Sequence, residues 1–194
     1  MDSDFSLFLK EFVSTKHPYE PKLCAICVGG GASLSLIQTI PGSSRLMGGI
    51  YLPYDNAVVA TMLSDELGDE ASKRYHEKSV QKKVAEDFAS IAMRKSPDGT
   101  GIGITAALTT NRFRKGDTHA FISFASNDWR VRTTYHLRLS KLPEEHHKDA
   151  NLSGLSVVRA TEDETIARLA ISIVYGFGND LFYEFEKNGL ITEV

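Results

Sequence analysis

The apolar positions of this chain change period several times, and each change marks an element. Phe5, Leu7, Phe8, Leu9, Phe12 and Val13 recur at three and four, the period of a helix with one buried stripe, with Ser3 or Asp4 as its cap and Pro18 beyond its end. Lys22 to Val28 is instead a short apolar run passing straight into Gly29-Gly30-Gly31, as a buried strand does when it turns tightly into a helix, here over Ala32 to Thr39. After Pro41-Gly42-Ser43-Ser44, the stretch Gly49 to Tyr54 predicts a second strand, with Pro53 placing its end near an edge. Asp65 to Tyr75 predicts a short polar helix. The clearest helix runs from Ser79 to Lys95: Val80, Val84, Phe88, Ile91 and Ala92 form one stripe, Gln81, Lys82, Lys83, Glu86 and Asp87 face water, and Ser96-Pro97-Asp98-Gly99 stops it.

Gly101 to Leu108 predicts a third strand. Thr118 to Ser126 and Trp129 to Leu139 predict a hairpin closed at Ser126-Asn127-Asp128. In its second arm Trp129, Val131, Thr133, Tyr135, Leu137 and Leu139 share the face assigned to the core; Arg130, Arg132, Thr134, His136 and Arg138 share the face assigned to solvent. Lys141 to Ser153 is polar and unpatterned, so residues 140–154 are expected to be a surface insertion. Helix is expected again from Glu162 to Tyr175, and residues 177–194 form a C-terminal extension with an amphipathic stretch from Asp180 to Lys187. Strands interleaved with helices, then a strand pair and terminal helices, argue for a single α/β layered domain over residues 1–194 with a mixed sheet.

Composition narrows the function classes. With 194 residues and 42% of them apolar, the chain can bury one continuous core without metal or disulfide staples. A net charge of -3 argues against a nucleic-acid partner. No apolar run approaches the ~20 residues of a membrane span and no leader pattern opens the chain, so no membrane partner and a cytoplasmic location are expected. Cys24 and Cys27, three apart, fit a reducing compartment better than a disulfide framework.

Few residues stand out as chemistry. Gly29, Gly30 and Gly31 place unobstructed backbone N–H groups between a strand and a helix N-terminus, which suits either an anion or a tight packing turn. Cys24 and Cys27 are too few for zinc, and His146 and His147 join them only if a loop reaches, so neither a metal nor a cofactor is expected. Arg130, Arg132 and Arg138, and the Arg112-Arg114-Lys115 cluster, suit solvated surface unless a small anion sits near Thr109-Thr110-Asn111.

Taken together, Ala25-Ile26-Cys27-Val28-Gly29-Gly30-Gly31, Pro41-Gly42-Ser43-Ser44, Gly48-Gly49 and Tyr54-Asp55-Asn56 resemble the C-terminal domain of the competence/damage-inducible CinA family, which includes nicotinamide mononucleotide deamidases. The order matches from about Lys22 to Ser126 and more loosely to Tyr175. The spacings from Cys27 to Pro41 and from Ser44 to Tyr54 agree without gaps, and Ile104-Thr105-Ala106-Ala107 falls where the family has Val-Thr-Gly-Ile. The resemblance implies a three-layer α/β/α domain, a small-molecule nucleotide as candidate ligand and a homo-oligomer. It assigns catalytic roles to Cys27, Ser44 and Tyr54; together with the anion readings above, the expected substrate-binding residues are Gly29, Gly30, Gly31, Thr105 and Thr109.

The departures are chemically large. Cys27 replaces the first-motif serine, Ile26 its neighbouring glutamate and Val59 the family lysine, and neither hydrocarbon side chain can accept a proton. Ala106-Ala107-Leu108-Thr109-Thr110 replaces a glycine-rich loop, and Thr161-Glu162-Asp163 replaces Gly-Asp-Arg, exchanging positive charge for negative. The leading expectation is a divergent domain that binds a ligand or partner without hydrolysing an amide. The alternatives are an amidohydrolase using Cys27, whose thiolate would gain from a helix N-terminus, and an assembly protein whose terminal helices pair between chains.

Overall fold

A computed structural model describes residues 4–15, 21–127 and 132–194. Ser3, Pro18, Asp128, Trp129, Arg130 and Val131, used in the expectations above, lie outside the described residues. In chain order the elements are α1 (Asp4–Thr15), β1 (Leu23–Val28), a 3₁₀ helix (Ala32–Thr39), a second 3₁₀ turn (Ser43–Arg45), β2 (Met47–Tyr51), α2 (Asn56–Leu67), α3 (Asp69–Glu77) and α4 (Lys82–Lys95). There follow β3 (Thr100–Ala107), β4 (His119–Ser126), β5 (Arg132–Arg138), α5 (Glu144–Asp149), α6 (Leu152–Tyr175), α7 (Asn179–Lys187) and β6 (Ile191–Glu193). The sheet order is β2-β1-β3-β4-β5-β6; β1 runs parallel to β2 and β3, and the remaining pairs are antiparallel, so the sheet is mixed as expected.

Helices cover both faces. On one, Leu23, Ala25 and Cys27 of β1 and Ile102, Ile104 and Ala106 of β3 pack with α1, the first 3₁₀ helix and α6. On the other, Cys24 and Ile26 meet Val59 and Leu63 of α2, Tyr75 of α3 and Val84, Phe88 and Ile91 of α4. Alternation in β3 explains how closely α4 approaches. A Cβ at Gly101 or Gly103 would collide with the α4 backbone at Ala89 and Met93 or at Ala85 and Ala89, so glycine at alternate positions lets the helix lie directly on the strand. No described helix is long and apolar enough to cross a membrane.

Several expectations change. Asp87, expected to face water, is buried and accepts from Arg74 at 2.8 Å, and α4 begins at Lys82. The polar helix expected from Asp65 is two helices meeting at Gly68, whose φ of +88° breaks the chain between them. α6 starts ten residues before Glu162, at Leu152, where Asn151 caps it by accepting from the Gly154 N–H at 2.8 Å; part of the 140–154 stretch is therefore helix. Residues 191–193 form a strand that pairs with β5, so the C-terminal stretch completes the sheet. The face of β5 assigned to solvent is partly covered: Thr134 is buried and its hydroxyl donates to Ser123 Oγ at 3.0 Å, because α4 reaches over β4. The terminal helices turn their apolar faces inward, with Phe5, Leu9 and Phe12 buried and Leu181, Phe182 and Phe185 packed on the same core.

Candidate functional site

The chain leaves β1 at Val28 and reverses through Gly29 and Gly31, at φ +80° and +86°. A Cβ on Gly29 would strike the Ala106 carbonyl oxygen, one on Gly30 would press on Ala106, Leu108 and Ile166, and one on Gly31 would lie 2.9 Å from Ile104. Contact with β3 therefore accounts for all three glycines. The helix start that follows points its N–H groups inward, and the chain itself fills that place. Asp163 of α6 accepts from the N–H of Gly31 at 2.6 Å, Ala32 at 3.2 Å and Ser33 at 2.6 Å. Its neighbour Glu162 closes the loop after β3 in the same way, accepting from the Thr109 N–H at 2.7 Å and the Thr109 hydroxyl at 2.6 Å. One turn earlier Arg159 spans both loops, donating to the Thr109 carbonyl at 2.9 Å and the Gly29 carbonyl at 3.2 Å. Two adjacent carboxylates of α6 thus satisfy the donors that a bound anion would otherwise meet, and Arg159 satisfies carbonyls of the same two loops.

Beside this junction lies a cavity of about 440 Å³, lined in part by Cys27, Gly29, Gly30, Tyr54, Arg159 and Asp163. Of the sequence-derived candidates, it brings together Cys27, Tyr54, Gly29 and Gly30. Cys27 is only 4% exposed; burial first, and the nearby Asp163 charge second, push its thiol far above the ordinary value. That thiol is held protonated at neutral pH. The Asp163 carboxylate beside it is already engaged, its lone pairs facing three backbone donors. Tyr54 is 90% exposed, so its hydroxyl stands at the rim, and nothing among the described residues fixes it.

The remaining candidates lie elsewhere. Ser44 sits exposed in the second 3₁₀ turn and does not line the cavity. Thr105 pairs with Val28 across the sheet, on the α4 face, whereas Cys27 belongs to the α6 face; strand alternation separates the two, and the buried Thr105 hydroxyl has no hydrogen-bond partner among the described residues. Thr109 is engaged by Glu162, as above. Ile26 and Val59 are fully buried in one cluster on the α4 face, so hydrocarbon there fills a core position. Cys24 shares that cluster, and its thiol is raised by burial. Asp55, in the Tyr54-Asp55-Asn56 motif, is the N-cap of α2, accepting from the Ala57 N–H at 2.8 Å. His147 is turned to the Thr110 carbonyl at 2.8 Å, and no group of metal-ligating side chains occurs among the described residues.

Arg159 had no sequence signal as a site residue. Glu162 and Asp163 stood out only through the exchange of Gly-Asp-Arg for Thr161-Glu162-Asp163, which announced negative charge there but not the backbone donors it meets.

No protein-family model matches the chain, and no curated protein matches it in sequence. Solved structures do. The competence/damage inducible protein CihA from Agrobacterium tumefaciens superposes with a TM-score of 0.57 at 14% identity, over 86% of this chain and 96% of that one. A competence-damaged protein (CinA) superfamily protein from Escherichia coli gives 0.56 at 12% identity, over 86% and 93%. A CinA superfamily protein from Klebsiella pneumoniae gives 0.55 at 9% identity, over 85% and 99%. The chain has the α/β fold of these competence/damage-inducible proteins, along nearly their whole length.

Proposed function

We propose that this chain is a ligand-binding version of the CinA-like fold that does not hydrolyse the carboxamide of nicotinamide mononucleotide. The observation that carries the reading is Asp163, whose carboxylate occupies the N–H groups of Gly31, Ala32 and Ser33. A phosphate arriving at that turn would meet a negative charge already seated on its donors. Nucleophilic attack is unsupported for a second reason. Among the described residues lining the cavity the ionisable groups are Cys27, Tyr54, Arg159 and Asp163. The thiol is neutral, the Tyr54 hydroxyl stands exposed at the rim, the guanidinium cannot accept a proton, and the carboxylate is bound to backbone.

The test is ammonia release from nicotinamide mononucleotide by the purified chain, read in a coupled assay. No release above background is expected; turnover above ~1 s⁻¹, the lower end of ordinary enzyme rates, would overturn the reading. Were turnover found, Cys27→Ala decides the route, since an amidohydrolase using this thiol loses all activity on that change and one using another group does not.

A further inference from the structure

The opposite face of the sheet carries a second cavity, of about 470 Å³, which none of the family-motif residues lines. Its floor is aromatic. Val28, Thr105, Phe121 and His136 face one another in a single row across β1, β3, β4 and β5, and at the end of that row the Phe121 and His136 rings stack with centroids 4.5 Å apart and planes 8° from parallel. His119, two residues before Phe121 and so on the same face, stands edge-on to both rings.

Its walls are cationic. Lys78 enters from the α3–α4 turn, which Gln81 fixes by donating to the Lys78 carbonyl at 2.8 Å and the Arg74 carbonyl at 3.0 Å. Arg138 ends β5, and Lys141 follows it, its ammonium donating to the Lys115 carbonyl at 2.9 Å and lying over the Phe113 ring at 4.8 Å. None of the three has a carboxylate within salt-bridge distance among the described residues, although Lys73, Arg74, Lys82, Lys83, Arg94, Lys95 and Arg168 all do. The acidic side chain on the rim is Asp117, leaving the cavity with an excess of positive charge on a chain whose net charge is -3. The field is felt inside: burial first, then His119, Arg138 and Lys78, hold His136 below the ordinary imidazole value, with Asp117 opposing them.

Cations converging without counter-charges are stabilised by a bound anion, and ring faces at the same place take a planar group. The volume is that of a small-molecule site. We propose that this cleft binds a phosphate-bearing small molecule with a planar ring, of mononucleotide size, its phosphate held by Lys78, Arg138 and Lys141 and its ring set against the Phe121–His136 stack. The assignment extends the ligand-binding half of the reading above to a second cavity. It does not depend on the fate of the Cys27 cavity, so ammonia release would overturn that reading and leave this one standing.

The experiment is calorimetric titration of the full chain with AMP, adenosine and inorganic phosphate at low salt. AMP should bind at least about tenfold more tightly than either fragment, because only it engages both the cations and the rings, and added salt should weaken it. Replacing two exposed side chains together, Lys78→Gln with Arg138→Gln, should reduce AMP affinity about tenfold or more while far-UV circular dichroism stays unchanged. In wild type, bound AMP should raise the His136 imidazole pKa seen by NMR, since an added negative charge favours the imidazolium. Absence of AMP binding, equal affinity for AMP and adenosine, or equal affinity for AMP and phosphate would each overturn the proposal without recourse to a variant. So would an unchanged AMP affinity in the folded double variant.

Discussion

Replacing Asp163 with alanine removes the acceptor of three backbone N–H groups at once, and the cost can be worked from the geometry. Two of the bonds are short, 2.6 Å to Gly31 and 2.6 Å to Ser33, and the third is 3.2 Å to Ala32. A hydrogen bond to a charged group contributes about 1.5–3 kcal/mol, and losing an N-cap acceptor costs about 0.5–2 kcal/mol, values that overlap and do not sum. The Gly31 N–H is buried and loses a charged acceptor together with those of Ala32 and Ser33, so a loss of about 3–5 kcal/mol is expected, a large share of the roughly 5–15 kcal/mol of a typical domain. Urea unfolding followed by far-UV circular dichroism measures it. Asp163→Asn should fall between, because its amide offers one acceptor oxygen where the carboxylate offers two on opposite donors. The same vacancy should accept a replacement: acetate at ten times its dissociation constant should restore about 1.4 kcal/mol to Asp163→Ala and nothing to wild type. A loss below about 1 kcal/mol, with no anion effect, would refute the view that this carboxylate closes the turn.

Gly29→Ala should destabilise by about 2–4 kcal/mol in the same assay, combining left-handed backbone strain with the clash at the Ala106 carbonyl. Thr105→Val should be neutral or stabilising by up to about 1 kcal/mol, since it removes a buried hydroxyl that has no partner among the described residues; a clear loss of thermal stability would mean the hydroxyl is engaged. The raised Cys27 thiol sets a pH dependence. Above the ordinary thiol value near 9 the unfolded chain loses this proton and the folded chain keeps it, so stability should fall with rising pH by about 1.4 kcal/mol per unit, and less steeply in Cys27→Ala. His136 acts at the other end: its lowered pKa means the unfolded chain takes up a proton first as pH falls below about 6.5, so stability should decline there, and His136→Asn should flatten the decline in thermal melts.

Local pattern determined much of the architecture. The apolar run Leu23–Val28, the stripe Val84-Phe88-Ile91 and the alternation of glycine with isoleucine in β3 each state a period and hence a buried face, which is why β1, α4 and β3 are legible in the sequence. The glycine turn was legible as a turn for the same reason. What occupies it was not, because a backbone N–H takes whichever acceptor the fold delivers, and Asp163 arrives from 132 residues along the chain. The start of α6 escaped notice because Leu152 and Val157 are exposed and leave no inward stripe to read. Strand β6 is three residues long, too short to declare a period, and exists through its pairing with β5. Likewise the resemblance assigns Cys27 and Thr105 to one site, but only the pleat of two paired strands decides that they point to opposite faces. Periodicity is a property of adjacent residues; the partner of a polar group is a property of distant ones, and the chemistry of this protein lies in the partners.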